Sequence, residues 1–278
     1  MLQGFLGIGA PKALNAAAAV WDPIWSYMLY ILDSISSWAS PFISDFKLNF
    51  INDNRWMWLL KGLGATLIIT FFSLIIGVLI GMVVAMIRST YDKNGESMKL
   101  RGGAGYFFLN ITNAICKVYL TVIRGTPMVV QLLIWYFIIL ASTENGVIVA
   151  IIAFGINSGA YVAEIFRSGI MSVDNGQFEA GRSLGFNYAQ TMLYIITPQA
   201  FKTVLPTLCN EFIVLIKETS IAGYVGIMDL TKAGDLIRGR TFSAFMPLIA
   251  VALIYLVLVM VLTWLVGKLE RRLRKSER

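Results

Sequence analysis

Residues 178–200 read FEAGRSLGFNYAQTMLYIITPQA, and the fold depends on where this stretch lies. Between Arg182 and Lys202 there is no formal charge, so a hydropathy plot alone would accept the stretch as a membrane span. It nevertheless contains two glycines, a proline and several polar side chains, among them Asn187, Tyr188, Gln190 and Gln199. Polar groups are costly in lipid, so the stretch is either a poor span or a segment outside the membrane.

The composition of the whole chain indicates a membrane protein. The 278 residues are 57% apolar and only 14% charged, whereas soluble domains carry about 25% charged residues. A helix needs ~20 apolar residues to cross the hydrocarbon layer. Five segments meet this length and predict an all-α integral membrane protein with five transmembrane helices. They are Gly62–Ile87, Gly125–Thr143, Asn145–Ala163, Thr203–Met228 (interrupted by Glu211, Lys217 and Glu218) and Thr241–Gly267.

The distribution of basic residues predicts the orientation. The net charge of +7 is concentrated beside the predicted spans, in the tail Lys268–Arg278 and in the loop Arg88–Arg101. Basic residues beside spans mark cytoplasmic loops, which favours an N-out, C-in topology and argues against nucleic-acid binding. The loop Asp229–Arg240 is also partly basic and runs against this pattern. Residues 178–200 then lie in the cytoplasm, because a sixth span would place the basic tail outside.

The first 55 residues differ in composition from the rest. Asp22 and Asp33 bracket only ten uncharged residues, too few to span a membrane, in a segment rich in tryptophan and tyrosine. We expect an N-terminal extension (residues 1–55) that lies as a helix at the membrane interface. An additional tilted span is the alternative. A cleaved signal peptide is disfavoured, because Met1–Val20 lacks a basic start and a clear cleavage site.

The stretch Gly176–Ala200 resembles the "EAA" loop of permease subunits of bacterial ATP-binding-cassette (ABC) importers. The matching positions are Glu179, Ala180, Gly185, Ile195 and Pro198. The chain departs from the family pattern with Gly181 in place of the second alanine and Thr197 in place of leucine. In a helix interior Gly185 is unfavourable by ~1 kcal/mol relative to alanine, so we expect it to mark a bend between two short helices.

Three further motifs narrow the resemblance to the polar amino acid permeases. They are TVIRGTPMVVQLLIWYF (121–137), NSGAYVAEIFRSGI (157–170) and LPTLCNEFIVLIKETS (205–220). The resemblance covers about residues 50–270. It implies a transmembrane domain of residues 56–270 with the type I importer fold, a coupling loop at about residues 174–198, and a basic cytoplasmic tail of residues 271–278.

The resemblance also implies the partners of such a permease. A second permease subunit, identical or a sister chain, would pair with it in the bacterial cell membrane. An external solute-binding protein would deliver the amino acid, and ABC ATPase subunits would bind ATP and Mg. This chain would be no enzyme and would hold no cofactor or metal of its own. Its residues for ATPase coupling would be Gln177, Glu179, Ala180, Gly181, Leu184 and Gly185. Independently, the sequence has no G-x-x-x-x-G-K-[ST] phosphate-binding motif.

Polar residues inside the predicted spans suggest a substrate pathway. Asn157, Tyr161 and Glu164 recur at i, i+4 and i+7, on one face of a helix, and Glu211 and Glu218 share that spacing. The carboxylates would attract an α-ammonium group or a cationic side chain, and Lys217 would bind the α-carboxylate. The predicted pathway residues are therefore Asn157, Tyr161, Glu164, Glu211 and Lys217. Purely structural roles are the alternative, namely an i, i+3 pair of Glu164 with Arg167 and interhelical hydrogen bonds.

Smaller features complete the prediction. Residues 124–127 (Arg-Gly-Thr-Pro) should break a helix, and Gly77 and Gly81 should allow close helix packing. A secondary transporter or channel working without an ATPase is the main functional alternative, although no inverted repeat is visible. A membrane enzyme is less consistent with a chain that has no histidine and only two isolated cysteines, Cys116 and Cys209.

Overall fold

The computed structural model describes the backbone of residues 12–275, and this range contains helices and turns but no strand. The predicted all-helical class is confirmed. The chain divides into two units, with the boundary between Asn54 and Arg55.

The first unit is dominated by helix α1, Lys12–Phe46. A π-helical turn, Lys47–Ile51, and a short turn, Asn52–Asn54, follow it. The uncharged segment between Asp22 and Asp33 is therefore part of a much longer helix, which continues through Pro23 and Pro41. Many of its apolar side chains are exposed, among them Trp25, Tyr27 and Tyr30. Its placement at a membrane interface stays a prediction, and residues 1–11 lie outside the described residues.

The second unit contains the remaining helices. Their bounds are α2 Trp56–Arg101, α3 Ala104–Gly125, α4 Met128–Ile134, α5 Gly146–Met171, α6 Asn175–Ser183, α7 Tyr188–Thr191, α8 Thr197–Glu218, α9 Leu230–Thr241 and α10 Phe245–Lys275. A π-helical turn extends α4 to Ile139, and another joins α7 to α8. Four helices in the described range are long and apolar enough to cross a membrane, namely α2, α3, α5 and α10.

The second predicted span differs most from the structure. The bounds Gly125–Thr143 do not describe one helix, because α3 ends at Gly125 and α4 with its extension covers only Met128–Ile139. Twelve residues span about 18 Å, too little to cross a bilayer alone. The predicted fourth span, Thr203–Met228, is also shifted, since α8 starts at Thr197 and ends at Glu218. The number of spans and their orientation stay predictions.

Helix α5 is the central element of the second unit, and half of its residues are buried. It packs most extensively against α2, through glycines on both helices. A Cβ added to Gly81 would lie 2.6 Å from Val162 Cγ1, and one added to Gly159 would lie 3.0 Å from Ile80 Cγ2. The expected close helix approach at Gly77 and Gly81 is therefore confirmed.

The segment that resembles the coupling loop forms two short helices around a bend. Asp174 caps α6, because its carboxylate accepts a hydrogen bond from the Gly176 N–H at 2.6 Å. Gly185 follows α6 with φ +83°, a conformation that L-residues rarely adopt, so the predicted bend is confirmed. Asn187 and Gln190 then form a capping box that starts α7. Pro198 lies in the first turn of α8, where its missing N–H costs nothing.

The basic residues of the predicted external loop make local contacts around α9. The Arg238 Nε donates to Asp235 Oδ1 at 3.0 Å, and Lys232 Nζ lies 3.5 Å from Asp235 Oδ2. The hydrogen bond from Arg238 lowers the pKa of the Asp235 carboxyl. Arg240 lies over the Trp58 ring at 4.6 Å. These contacts give the basic side chains of this loop partners within the fold.

Candidate functional site

The break between α3 and α4 is held by one side chain, Gln131. Thr126 is extended (φ −119°, ψ 146°), as expected of a residue before proline. Pro127 has no N–H, so the Ile123 carbonyl loses its usual partner four residues on. The Gln131 Nε2 supplies that hydrogen bond instead, at 2.7 Å, and also donates to Thr126 Oγ1 at 2.8 Å. The predicted helix break is thus observed, and a buried amide stabilises it.

Asn157, a predicted pathway residue, is the second member of this arrangement. Its Nδ2 donates to Gln131 Oε1 at 3.0 Å, and both side chains are buried. Asn157 therefore makes the interhelical hydrogen bond that the sequence left open as an alternative. Gln131 was missed as a candidate, although it lies in the quoted motif four residues after Pro127.

Glu164 and Tyr161 lie in a cleft beside the break. The carboxylate of Glu164 is 3.4 Å from Arg124 Nη1 and 3.1 Å from Arg167 Nε. The Arg124 guanidinium lies 5.8 Å from the centre of the Tyr161 ring. The cleft has a volume of about 560 Å³, and its lining is Arg88, Lys117, Leu120, Thr121, Arg124, Gly125, Tyr161 and Glu164. Three cations and one carboxylate make this cleft basic, so Glu164 compensates charge within the protein.

Glu211 lies on α8 and turns toward α5. Its Oε1 accepts a hydrogen bond from Ser158 Oγ at 3.0 Å, and the side chain is half-buried. Ser158 directly follows Asn157 in sequence, so Glu211 on α8 lies beside the residues of α5 that are predicted to line the pathway. A hydroxyl leaves most of the acceptor capacity of the carboxylate free for another donor.

Lys217 and Glu218 lie in a second cleft, where the end of α8 faces the start of α4. This cleft has a volume of about 510 Å³, and its lining is Pro127, Met128, Val129, Val214, Lys217, Glu218, Ser220 and Ile221. The break supplies Gly125 to the first cleft and Pro127 to the second. Of the predicted pathway residues, Tyr161 and Glu164 therefore line one cleft and Lys217 lines the other, and the two clefts share the break.

The residues predicted for ATPase coupling form an exposed surface, with one exception. Gln177, Glu179, Ala180, Leu184 and Gly185 are exposed, and Leu184 is 73% exposed. Gly181 is buried, and a Cβ there would lie 2.7 Å from Thr191 Cγ2. Gly181 thus allows α6 to pack on α7, a role that the resemblance to the EAA loop does not predict. The Gln199 amide donates to Gln177 Oε1 at 3.3 Å and ties α6 to α8.

A family model described as the inner membrane component of binding-protein-dependent transport systems matches residues 103–275. The chain belongs to this family. The match begins just before α3 and ends with α10, so it includes the break, the coupling segment, the second cleft and all of the first cleft except Arg88. The resemblance to the permease subunits of bacterial amino acid ABC importers and the prediction of a multi-pass protein of the bacterial cell membrane are confirmed.

Amino acid permeases match this chain over nearly their whole length. The chain is 36% identical to the arginine transport system permease protein ArtQ of Bacillus subtilis, over 79% of this chain and 94% of that protein. It is 35% identical to the glutamine transport system permease protein GlnP of Escherichia coli K12, over 78% of this chain and 93% of that protein.

Solved structures agree with the type I importer fold. A crystal structure of an amino acid ABC transporter with histidines superposes with a TM-score of 0.68 at 38% identity, over 80% of this permease and 98% of that chain. The methionine ABC transporter MetNI superposes with a TM-score of 0.65 at 20% identity, a likeness of fold alone. About a fifth of this permease has no counterpart in these proteins. Among residues 12–275, potential metal ligands do not gather into a metal site.

Proposed function

We propose that this permease imports polar or charged amino acids, driven by a separate ABC ATPase and supplied by an external solute-binding protein. The observation that carries the proposal is its similarity to arginine and glutamine permeases along nearly their entire length. A second permease subunit, identical or a sister chain, completes the pathway. ATP and Mg are bound by the ATPase, and this chain contributes no cofactor and no catalytic residue.

The ATPase contact is formed by α6 and the bend after it. The surface consists of Gln177, Glu179, Ala180, Leu184 and Gly185, with Leu184 as its most exposed apolar side chain. A short helix with an exposed apolar residue fits a groove in a partner protein. On the buried side of α6, the close packing of Gly181 against Thr191 supports this surface.

The substrate pathway runs along the break between α3 and α4. Glu211 offers free acceptor positions to an α-ammonium group or a cationic side chain, because Ser158 occupies only one of them. Lys217 is exposed in the second cleft and can pair with an α-carboxylate. Tyr161 and Glu164 line the basic cleft, whereas Asn157 orients Gln131 and keeps the break in place.

The test is uptake in proteoliposomes that contain this permease with its ATPase. Radiolabelled arginine and glutamine are supplied with the binding protein, and ATP or a non-hydrolysable analogue is placed on the ATPase side. We expect accumulation with ATP only, and competition by the amino acids that the binding protein retains. Accumulation without ATP hydrolysis would support the secondary transporter instead, and absence of uptake for all amino acids would refute the substrate class.

A further inference from the structure

Helix α2 extends well past its apolar run and forms a polar stalk. The uncharged run ends at Ile87, and residues 88–101 continue the helix for about 21 Å. The side chains of Asp92 and Lys93, in the middle of this stalk, contact two different parts of the fold.

Lys93 holds the first turn of α6 through two contacts. Its Nζ donates to Asn175 Oδ1 at 2.6 Å, and Asn175 is the first residue of α6. The same ammonium lies 4.7 Å from the centre of the Phe178 ring, at cation–π distance. Phe178 is buried with Ile196 and Ala200 at the start of α8. Lys93 thus connects the stalk to the base of the proposed ATPase contact.

Asp92, the neighbour of Lys93, begins a chain of ion pairs that leads to the break. Its Oδ2 lies 3.4 Å from Arg167 Nη1 on α5. Arg167 Nε lies 3.1 Å from Glu164 Oε2, and Glu164 Oε1 lies 3.4 Å from Arg124 Nη1. Arg124 is the second-to-last residue of α3, which ends at Gly125, where the break begins. The charges alternate in sign along the chain, and each inner group has two partners.

These ion pairs are too exposed to contribute much to stability. The side chains are between 28% and 45% exposed, and pairs of that kind contribute ~0–1 kcal/mol each. Their contribution is geometric, because Arg167 lies between two carboxylates, Asp92 on α2 and Glu164 on its own helix, and so connects α2 to α5. The same four side chains join three helices, α2, α3 and α5, at one level.

We propose that Asp92 and Lys93 are positioning residues that link the coupling segment to the break between α3 and α4. A displacement of α6 pulls on Lys93 and moves the stalk. The stalk then shifts Arg167, Glu164 and Arg124, and hence the residues of the break that line both clefts. This inference rests on the proposed function, in which the ATPase docks on α6. It assigns the stalk of α2 to the transmission of that docking.

The test measures the number of amino acid molecules transported per ATP hydrolysed, in proteoliposomes containing the complete transporter. Lys93→Gln and Asp92→Asn are compared with Lys99→Gln and Glu96→Gln, two exposed positions of the same stalk. We expect the first pair to lower the ratio about 2- to 30-fold, the range in which substitutions along coupled networks act. ATPase co-purification and the unfolding temperature should stay close to the parent values. Lys93→Arg keeps the positive charge and should therefore retain most of the parent ratio of amino acid transported per ATP hydrolysed.

A double-mutant cycle tests the series of ion pairs from Asp92 to Arg124. If Asp92 and Arg167 act in one chain, Asp92→Asn combined with Arg167→Gln lowers the ratio no further than the more severe single variant. An unchanged ratio in Lys93→Gln and Asp92→Asn would overturn the inference. Equal losses of hydrolysis, transport and co-purification would also overturn it, because they would indicate a purely structural role. Failure of the parent protein to bind an ATPase would instead refute the proposed function.

Discussion

Gln131 replaces, with a side-chain amide, the hydrogen-bond donor that Pro127 removes from the end of α3. It donates to the Ile123 carbonyl and accepts from Asn157, so one buried side chain connects α3, α4 and α5. Because Gln131 and Asn157 are buried, loss of the Gln131 amide would leave the Asn157 amide and the part-buried Ile123 carbonyl without this partner.

The first prediction concerns this amide. Gln131→Leu should destabilise the permease by ~1–2 kcal/mol, between the average hydrogen bond within membranes and the cost of an unpaired buried group. The measurement is thermal unfolding of the purified protein in nanodiscs. Gln199→Leu is the matched control, since Gln199 is exposed and should have a smaller effect on unfolding. Equal unfolding temperatures for Gln131→Leu and the parent would contradict the assigned role.

The second prediction concerns the Glu211 carboxylate. Glu211→Gln should lower uptake about tenfold or more, equivalent to ~1.4 kcal/mol, because a neutral amide no longer attracts the cationic group of the substrate. Co-purification with the ATPase should be preserved. Glu144→Gln, at an exposed position between α4 and α5, serves as the control. Normal uptake of the candidate amino acids by Glu211→Gln would show that this carboxylate is not needed in the pathway.

At the scale of elements, the contact between α2 and α5 depends on the absence of side chains. Gly81→Ala should cost ~1–3 kcal/mol, because the new Cβ would lie 2.6 Å from Val162 Cγ1 and 2.8 Å from the Ala163 nitrogen. Gly64→Ala in the same helix meets no atom of the described residues within 4 Å. It should be neutral or stabilising by up to ~1 kcal/mol. Gly81→Ala should therefore lower the unfolding temperature, whereas Gly64→Ala should leave it unchanged or raise it, and equal shifts would contradict this packing.

The sequence predicts some elements better than others for identifiable reasons. Glycine is unfavourable within a helix, which predicts a bend at Gly185, and the positive φ of this residue agrees. Helix α3 was missed, because Asn110, Asn113 and Lys117 interrupt its apolar residues. The run after Arg124 therefore resembles a complete span in the sequence, although Pro127 lies within it and α4 is too short to be one.

Across the whole molecule, the sequence does not predict which side chains on different helices contact each other. Spacing places Asn157, Tyr161 and Glu164 on one face and predicts the i, i+3 pair of Glu164 with Arg167, which the structure shows. It does not identify their partners on other helices. The structure divides that stripe, since Asn157 binds Gln131 while Glu164 pairs with Arg124 and Arg167. Such contacts depend on how α3, α4 and α5 pack, which local periodicity does not specify.

In the proposed function, residues 174–198 form the cytoplasmic surface on which an ATPase acts. The orientation derived from basic loops and the exposed surface of α6 both lead to this claim. Cysteine substitution tests it directly, once Cys116 and Cys209 have been replaced by serine.

The decisive measurement compares Ala180→Cys with Glu144→Cys in the assembled transporter. Ala180→Cys should crosslink to the ATPase and resist a membrane-impermeant thiol reagent applied from outside intact cells. Glu144→Cys, in the connection predicted to be external, should react with that reagent and form no crosslink. Labelling of Ala180→Cys from outside, without a crosslink to the ATPase, would contradict the account.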